Sequence, residues 1–346
     1  MAVESRGWVM KAYAESGRPT EDHLELRARR VVTDAEAIPD GQVAIQVLWV
    51  AVDPFLRSMM TGRLDGLSLD PYPLGQVITA FGAGRVVNSK DENYIEGDIA
   101  IIPFCPVEEY CVLPSLSLRK VDASKGISPL EYLNALGVPG FAAWVGVHLI
   151  ADPKAGENVF VSAAAGAVGM FAGQLAKLKG CRVVGSAGTD EKVNLLKEEL
   201  NFDDAFNYNK ETDFDVALSK YFPDGIDVYF ENVGGEMLEA VLNHVNKRAR
   251  IPLCGMISQY NQVWTERQGI RNLLNMVGKD VKMEGFMIGT YIHHFGDFAE
   301  DIEGFIREGK LVSKFKMNNG IESFLPSLAS LFSSSNVGKV IIEVNK

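Results

Sequence analysis

Val161–Met170 reads VSAAAGAVGM; six of its ten residues are alanine or glycine and none is charged. The uncharged run extends from Val159 to Ala176. Three kinds of structure use such a segment: a membrane helix, a tight packing seam, or a turn where bare backbone meets a ligand. A membrane span prefers large aliphatic residues over about 20 positions. This run instead carries Gly166, Gly169 and Gly173 and begins on the β-rich VFV. It lies between a predicted strand, NVFVSA, and a predicted helix ending near AKLKG. In that setting Ala163-x-x-Gly166-x-x-Gly169 is a variant of the dinucleotide fingerprint. The chain must turn sharply, a pyrophosphate must reach backbone N–H groups, and the helix must sit close to the sheet. A ligand-free helix–sheet contact is the competing reading, and the strand–turn–helix context favours the nucleotide.

Outward from the turn, strand and helix alternate. RVVGSA, a short strand near AFNY, IDVYFENV, ARIPLCG and VKMEGFMIG read as strands; DEKVNLLKEEL and EMLEAVLNHV read as helices, as does EYLNALGVPGFAAWVGVHLI before the turn. Such alternation predicts a parallel, doubly wound sheet. Residues up to about 120 behave differently. QVAIQVLWVAV, GRVVNS, GDIAIIPF and EEYCVLP are short strands between Gly, Pro and Asp punctuation, which suits a β-barrel-like domain. Pro114–Leu130 is polar and turn-rich, a candidate boundary. The tail returns to a helix, FAEDIEGFIREG, and closes on a strand, GKVIIEV, expected to rejoin the first domain. The expected division is therefore 1–128 with about 296–346, and 129–295.

With 346 residues the chain is long enough for two cores. A net charge of −11 argues against nucleic acid or an anionic membrane as partner. The opening MAVESRGWVMK lacks an apolar h-region, so no secretory signal is expected. Cys105, Cys111, Cys181 and Cys254 include no CxxC pair, so a structural zinc is not expected and a reduced, cytoplasmic chain is.

Two further features bear on chemistry. An NAD-binding fold offers an acid about 20 residues past the glycine turn for the ribose 2′-hydroxyl. Here Ser186 stands there, and Lys192 follows, a pairing that suits the 2′-phosphate of NADP. Asp190 and Glu191 leave open a carboxylate on the ribose, although acids also belong in a first helical turn; Lys192 could be an ordinary solvated lysine. For a catalytic zinc, His23 is the lone histidine before His148 and is near no cysteine in sequence. His293 and His294 are adjacent, so on a strand their rings would diverge. No metal is expected. Trp144 and His148 read as core, and Met59 and Met60 as loop anchors or the lining of an apolar pocket.

At this point the chain resembles the zinc-independent medium-chain reductases of the leukotriene B4 dehydrogenase and prostaglandin reductase group, plant NADPH-dependent alkenal double bond reductases above all. The resemblance covers essentially the whole chain and is carried by VDPFLR, LGVPGFAAW, SAAAGAVG, GSAGTDEKVNLLKEELNFDDAFNY, FENVGG, CGMISQYN and NVGKV. It implies an α/β protein: a GroES-like β-rich catalytic domain plus a Rossmann doubly wound parallel-sheet domain. It implies NADPH/NADP+ as cofactor, reduction of the C=C bond of α,β-unsaturated aldehydes or ketones, and a homodimer. On the cofactor side it implies Ala163, Gly166, Ala167, Val168 and Gly169 at the glycine turn, and Gly188, Lys192 and Tyr208 around the 2′-phosphate. Asn232, Gly234, Cys254 and Phe286 would lie along the cofactor at strand ends, with Asn336 and Gly338 near its ring. Tyr260 would stand beside nicotinamide ribose and substrate carbonyl as the catalytic group. Pro54, Phe55, Arg57, Met256 and Ile288 would line the substrate side with Tyr260. The sequence departs from the group at Phe55, where plant relatives often have Tyr, and at Ala165, where Ser is common.

A loop tyrosine is also an ordinary packing residue. Its phenol nevertheless stays protonated at neutral pH and suits a carbonyl oxygen that gains charge. A zinc-free quinone reductase and a non-catalytic nucleotide-binding sensor remain rival readings.

Overall fold

The computed structural model describes residues 2–345 apart from 65, 68 and 334. The first half is built from strands whose β-branched, alternating composition buries one face. These are β1 (Ala2–Met10), β2 (Leu24–Val32), β3 (Gln42–Val52), β4 (Thr79–Ser89), β5 (Ile99–Pro106), β6 (Tyr110–Pro114) and β7 (Arg119–Lys120). A one-turn helix α1 (Leu56–Met59) follows β3. β1 and β2 form their own antiparallel pair. They were not legible in the sequence, because most of β2 faces solvent with arginines that mask its alternation.

The second half alternates. It comprises α2 (Val138–Trp144), β8 (Asn158–Val161), α3 (Ala167–Leu178), β9 (Arg182–Ala187), α4 (Asp190–Glu198), β10 (Asp204–Asn207), α5 (Phe214–Tyr221), β11 (Ile226–Phe230), α6 (Gly235–His244), β12 (Val245–Leu253), α7 (Leu274–Gly278) and β13 (Lys282–Gly285). The strands lie parallel in the order β10-β9-β8-β11-β12-β13, so the order reverses between β8 and β11. The expected continuous helix over 131–150 breaks into a 3₁₀ segment, α2 and a π-helical turn at Val145–Ala151 that ends at Asp152 with φ +39°.

After β13 come α8 (Phe295–Arg307), β14 (Phe315–Asn319), α9 (Phe324–Ser330) and β15 (Lys339–Glu343). β14 and β15 join the first sheet, in the order β14-β15-β3-β4-β5-β7, with β6 also on β3. Helix α8 does not go with them: Phe298 packs on Phe141 with ring centroids 4.9 Å apart, and Trp144 Nε1 donates to Asp301 at 2.8 Å. One apolar cluster spans the border, holding Ala51, Ala83, Ile101 and Ile341 of the first sheet together with Phe141 and Phe171 of the second half. The charge-free opening stretch follows from that layering. Gly169 to Ala176 of α3 is buried throughout, and the cluster around it contains both α2 and the strands β8 and β9.

Candidate active site at the switch point

In a doubly wound sheet the ligand crevice lies at the carboxyl ends of the strands where their order reverses. Here that point is flanked by Ser162 after β8 and by Glu231 and Asn232 after β11. Asn232 Nδ2 donates to the Ser162 carbonyl at 2.8 Å, and the Asn232 N–H donates to Ser162 Oγ at 3.0 Å. Glu231 is fully buried and its Oε1 accepts from Ser162 Oγ at 3.1 Å and the Tyr229 hydroxyl at 2.9 Å. Burial holds this carboxyl above the usual carboxylate range. Among the described residues its Oε2 has no partner. Sequence reasoning missed this acid, whose polar letter in FENVGG reads like any loop residue.

The glycine turn closes on itself, Gly166 N–H donating to the Ala163 carbonyl at 2.9 Å, and α3 starts at Ala167 with Val168 half-buried beside it. A Cβ on Gly169 would stand 2.4 Å from the Ala163 oxygen, so only glycine allows the helix this close. The cradle is completed from the other sheet. Gly338 N–H donates to the Ala165 carbonyl at 2.8 Å, and Gly166 and Gly338 form a parallel bridge. Gly338 itself sits at φ +66°, where a Cβ would lie 2.1 Å from the Lys314 oxygen. These small residues, with the N-terminus of α3 behind them, fit a dinucleotide pyrophosphate.

Near the end of β9, Ser186 is buried and brings no carboxylate to the strand end. Asp190 turns aside to Asn207 Nδ2 at 2.8 Å and to Lys210, which settles its place as a first-turn helix acid. Lys192 is buried in that same turn, whose Thr189 hydroxyl accepts from the Lys192 N–H at 3.3 Å. Burial, and then the charge of Lys316, lower the Lys192 amine. Gly188 is buried and accepts from Asn209 Nδ2 at 2.8 Å; Tyr208 is half-buried, its N–H on the Ala187 carbonyl at 3.1 Å. Ser186, Gly188, Lys192 and Tyr208 thus gather at the β9–β10 end.

Tyr260 follows β12 on a short 3₁₀ turn, Ile257–Gln259. Its hydroxyl accepts from the Met256 N–H at 3.3 Å, and burial pushes the phenol up to about 12. The loop is pinned to the switch point by Ile257 N–H on the Asn232 carbonyl at 3.0 Å. Met256 lies over Gly234, and Cys254, whose thiol is raised by burial, precedes it. Phe286 and Ile288 are half-buried against the shared cluster. Phe55 is half-buried on the first-domain core, and Met60, one turn on, is wholly core.

Arg57 does not line an open surface. It is completely buried, its Nε donating to the Gly17 carbonyl at 2.9 Å and to Asn261 Oδ1 at 3.1 Å. Gly17 N–H in turn donates to the Asn261 carbonyl at 2.7 Å. The guanidinium therefore fastens the first half to the residue after Tyr260. A second fastening was invisible in sequence: Asp53 and Lys339, both buried, form an ion pair joining the loop before α1 to the residue after Gly338.

His293 and His294 lie on a 3₁₀ segment, not a strand, and their ring centroids are 4.2 Å apart, so the divergence expected from strand geometry does not occur. Among the described residues no group of three or more His, Cys, Asp or Glu side chains is placed to hold a metal. Cys105 and Cys111 are buried thiols raised by desolvation. The donors present do not fit a zinc.

Comparison with known proteins gives the following. The family model for the N-terminal domain of oxidoreductase matches residues 6–121, and that for zinc-binding dehydrogenase matches 167–306. The chain is 41% identical to the 2-alkenal reductase (NADP(+)-dependent) of Nicotiana tabacum, over 99% of this chain and 98% of that one. It is 40% identical to the (+)-pulegone reductase of Mentha piperita over 96% of each. Its fold superposes on the crystal structure of CurA in complex with NADPH from Vibrio vulnificus with TM-score 0.87, at 32% identity and 99% coverage of both chains.

Proposed function

The chain belongs to the zinc-binding dehydrogenase family, among its zinc-independent medium-chain reductases, and from that premise we propose that it reduces the C=C bond of α,β-unsaturated aldehydes and ketones with NADPH. The observation that carries the reading is a half-buried phenol, raised by desolvation, on a loop pinned to the switch point, beside a backbone cradle shaped for a dinucleotide. The 2-alkenal and pulegone reductases it resembles act, by their names, on conjugated carbonyl compounds.

In this reading the glycine turn from Ala163 to Gly169, with Gly338, holds the pyrophosphate; Lys192, Tyr208 and Gly188 hold the 2′-phosphate; Asn232, Gly234, Cys254 and Phe286 line the rest, while Asn336, expected near the ring, accepts from the Lys316 ammonium. When bound there, NADPH would supply the hydride for the substrate β-carbon, and solvent would supply the proton for the α-carbon. Tyr260 donates its proton as a hydrogen bond to the carbonyl oxygen, where negative charge builds as the double bond is reduced. Raised above its ordinary value, the phenol remains a donor across the neutral range. A preorganised donor of this kind lowers the barrier by about 3–4 kcal/mol. Phe55, Met256 and Ile288 shape the apolar side of the substrate pocket, and Arg57 positions the Tyr260 loop without touching substrate.

The same proposal divides the chain into a catalytic domain, 1–128 with β14 and β15, and a nucleotide-binding domain from 129 through α8. It takes the enzyme as a cytoplasmic homodimer. Support comes from four cysteines free of disulfides, and from the sheet edge at β13, beside exposed Leu274, Val277 and Ile292. Sedimentation gives the assembly directly.

The test of the activity is product analysis after mixing the protein with NADPH and a cinnamaldehyde-type enal. The saturated aldehyde is expected. An allylic alcohol, or turnover with quinones and none with enals, overturns the reading.

A further inference from the structure

The 2′-phosphate end of the crevice is assembled from both halves of the molecule. Helix α4 and the segment leading into β14 lie side by side, fastened by an ion pair between Lys314 and Glu199. Lys192 and Glu199 are seven positions apart, two helical turns, and so share a face of α4. Lys314 and Lys316 are two positions apart and share a face of the extended chain. From there Lys316 stands close enough to Lys192 for its charge to lower that amine. Lys316 is half-buried, and its ammonium donates to Asn336 Oδ1 at 2.7 Å. Asn336 is oriented in turn by donating to Ser330 Oγ at 2.8 Å. Its amide oxygen thereby holds the ammonium in place without neutralising it. Two ammonium groups are thus steered toward one another across the domain border, one of them buried in the first turn of a helix. An anion placed between them would be held by both.

We propose that Lys316 is the second cation of the 2′-phosphate site, so that the adenosine 2′-phosphomonoester is gripped by Lys192 from the nucleotide-binding half and by Lys316 from the β14 strand of the other. This rests on the reading of Lys192 given above and goes beyond it: preference for NADPH over NADH is set by both halves. A phosphomonoester carries nearly two negative charges and three acceptor oxygens, enough for two ammonium donors and the Tyr208 side.

The probes are 2′,5′-ADP, which carries the 2′-phosphate, and 5′-AMP, which lacks it, titrated calorimetrically into the whole protein. Lys316→Met is expected to raise the Kd of 2′,5′-ADP about ten-fold, the loss of one charged hydrogen bond, and to leave 5′-AMP within about two-fold. Lys316→Arg restores most of the affinity. Lys192→Met acts in the same direction. If Lys316→Met leaves 2′,5′-ADP binding unchanged while Lys192→Met weakens it, the inference falls and the parent reading stands. If Lys316→Met weakens both probes equally, the lysine serves the common 5′-phosphate or the fold, and the inference falls again. If neither lysine matters, both readings fall. The melting temperature of the unliganded variants separates a binding loss from an unfolded protein.

Discussion

Tyr260 combines two properties that a packing tyrosine does not need: desolvation that raises its phenol, and a hydroxyl that, among the described residues, accepts a hydrogen bond from a neighbouring N–H. That contact uses the oxygen as acceptor and leaves the proton available. Tyr260→Phe should therefore cut kcat on an enal about a hundred-fold or more, by loss of a donor to developing charge, while the Kd for NADPH stays within about two-fold. Stopped-flow turnover and fluorescence titration measure the two separately, and unchanged turnover removes the tyrosine from the chemistry. At this scale the sequence was informative where a residue type is dictated by space. Gly166, Gly169 and Ala163 could be read because a turn admits little else. Arg57, Asp53 and Glu231 could not, because an arginine or an acid in a loop looks solvated until the fold closes over it. Arg57 was expected beside the substrate, and the structure instead encloses it between Gly17 and Asn261.

Among the elements, α3 owes its composition to contact on both sides. Gly169→Ala would press a Cβ against the Ala163 oxygen, 2.4 Å away. The expected cost is about 1–3 kcal/mol in denaturant unfolding, with weaker NADPH binding because the turn must open. Helix α2 and its π-helical end give a pH signature. His148 stacks on Trp144, ring centroids 5.2 Å apart, and burial lowers its pKa. The unfolded chain then binds a proton that the folded chain refuses. Stability from this group is complete above the ordinary histidine value, about 6.5, and declines as pH falls below it toward the lower folded value. Melting curves should show that decline, and His148→Phe should flatten it. The strand–helix alternation made the parallel sheet legible from β8 to β13, since its periods differ so plainly. α5 and the break in the helix after Trp144 were not legible: the first is short, and the second depends on the wide turn that closes at Asp152.

Over the whole molecule, the crevice is enclosed by a circuit of contacts. It runs from Ala165 to Gly338, through Lys339 to Asp53, along α1 to Arg57, across to Asn261 and Tyr260, and back by Asn232 to Ser162. Lys339 is its most exacting member. Lys339→Met strands a buried Asp53 and should cost about 3–5 kcal/mol, whereas the double change Asp53→Leu with Lys339→Met should recover most of it. Chemical denaturation of the three variants tests this, and additive losses would mean that the two side chains do not act as a pair. The pairing joins residues 286 positions apart, and the strand that bears Lys339 lies inside its sheet, between β14 and β3. During synthesis from the amino end, β3 emerges from the ribosome long before the neighbour that will flank it, while everything from β8 to β13 can already collapse around its own parallel strands. The half that comes out first is the half that finishes last, and for that interval an apolar, half-paired ribbon waits for the strand that will cover its edge.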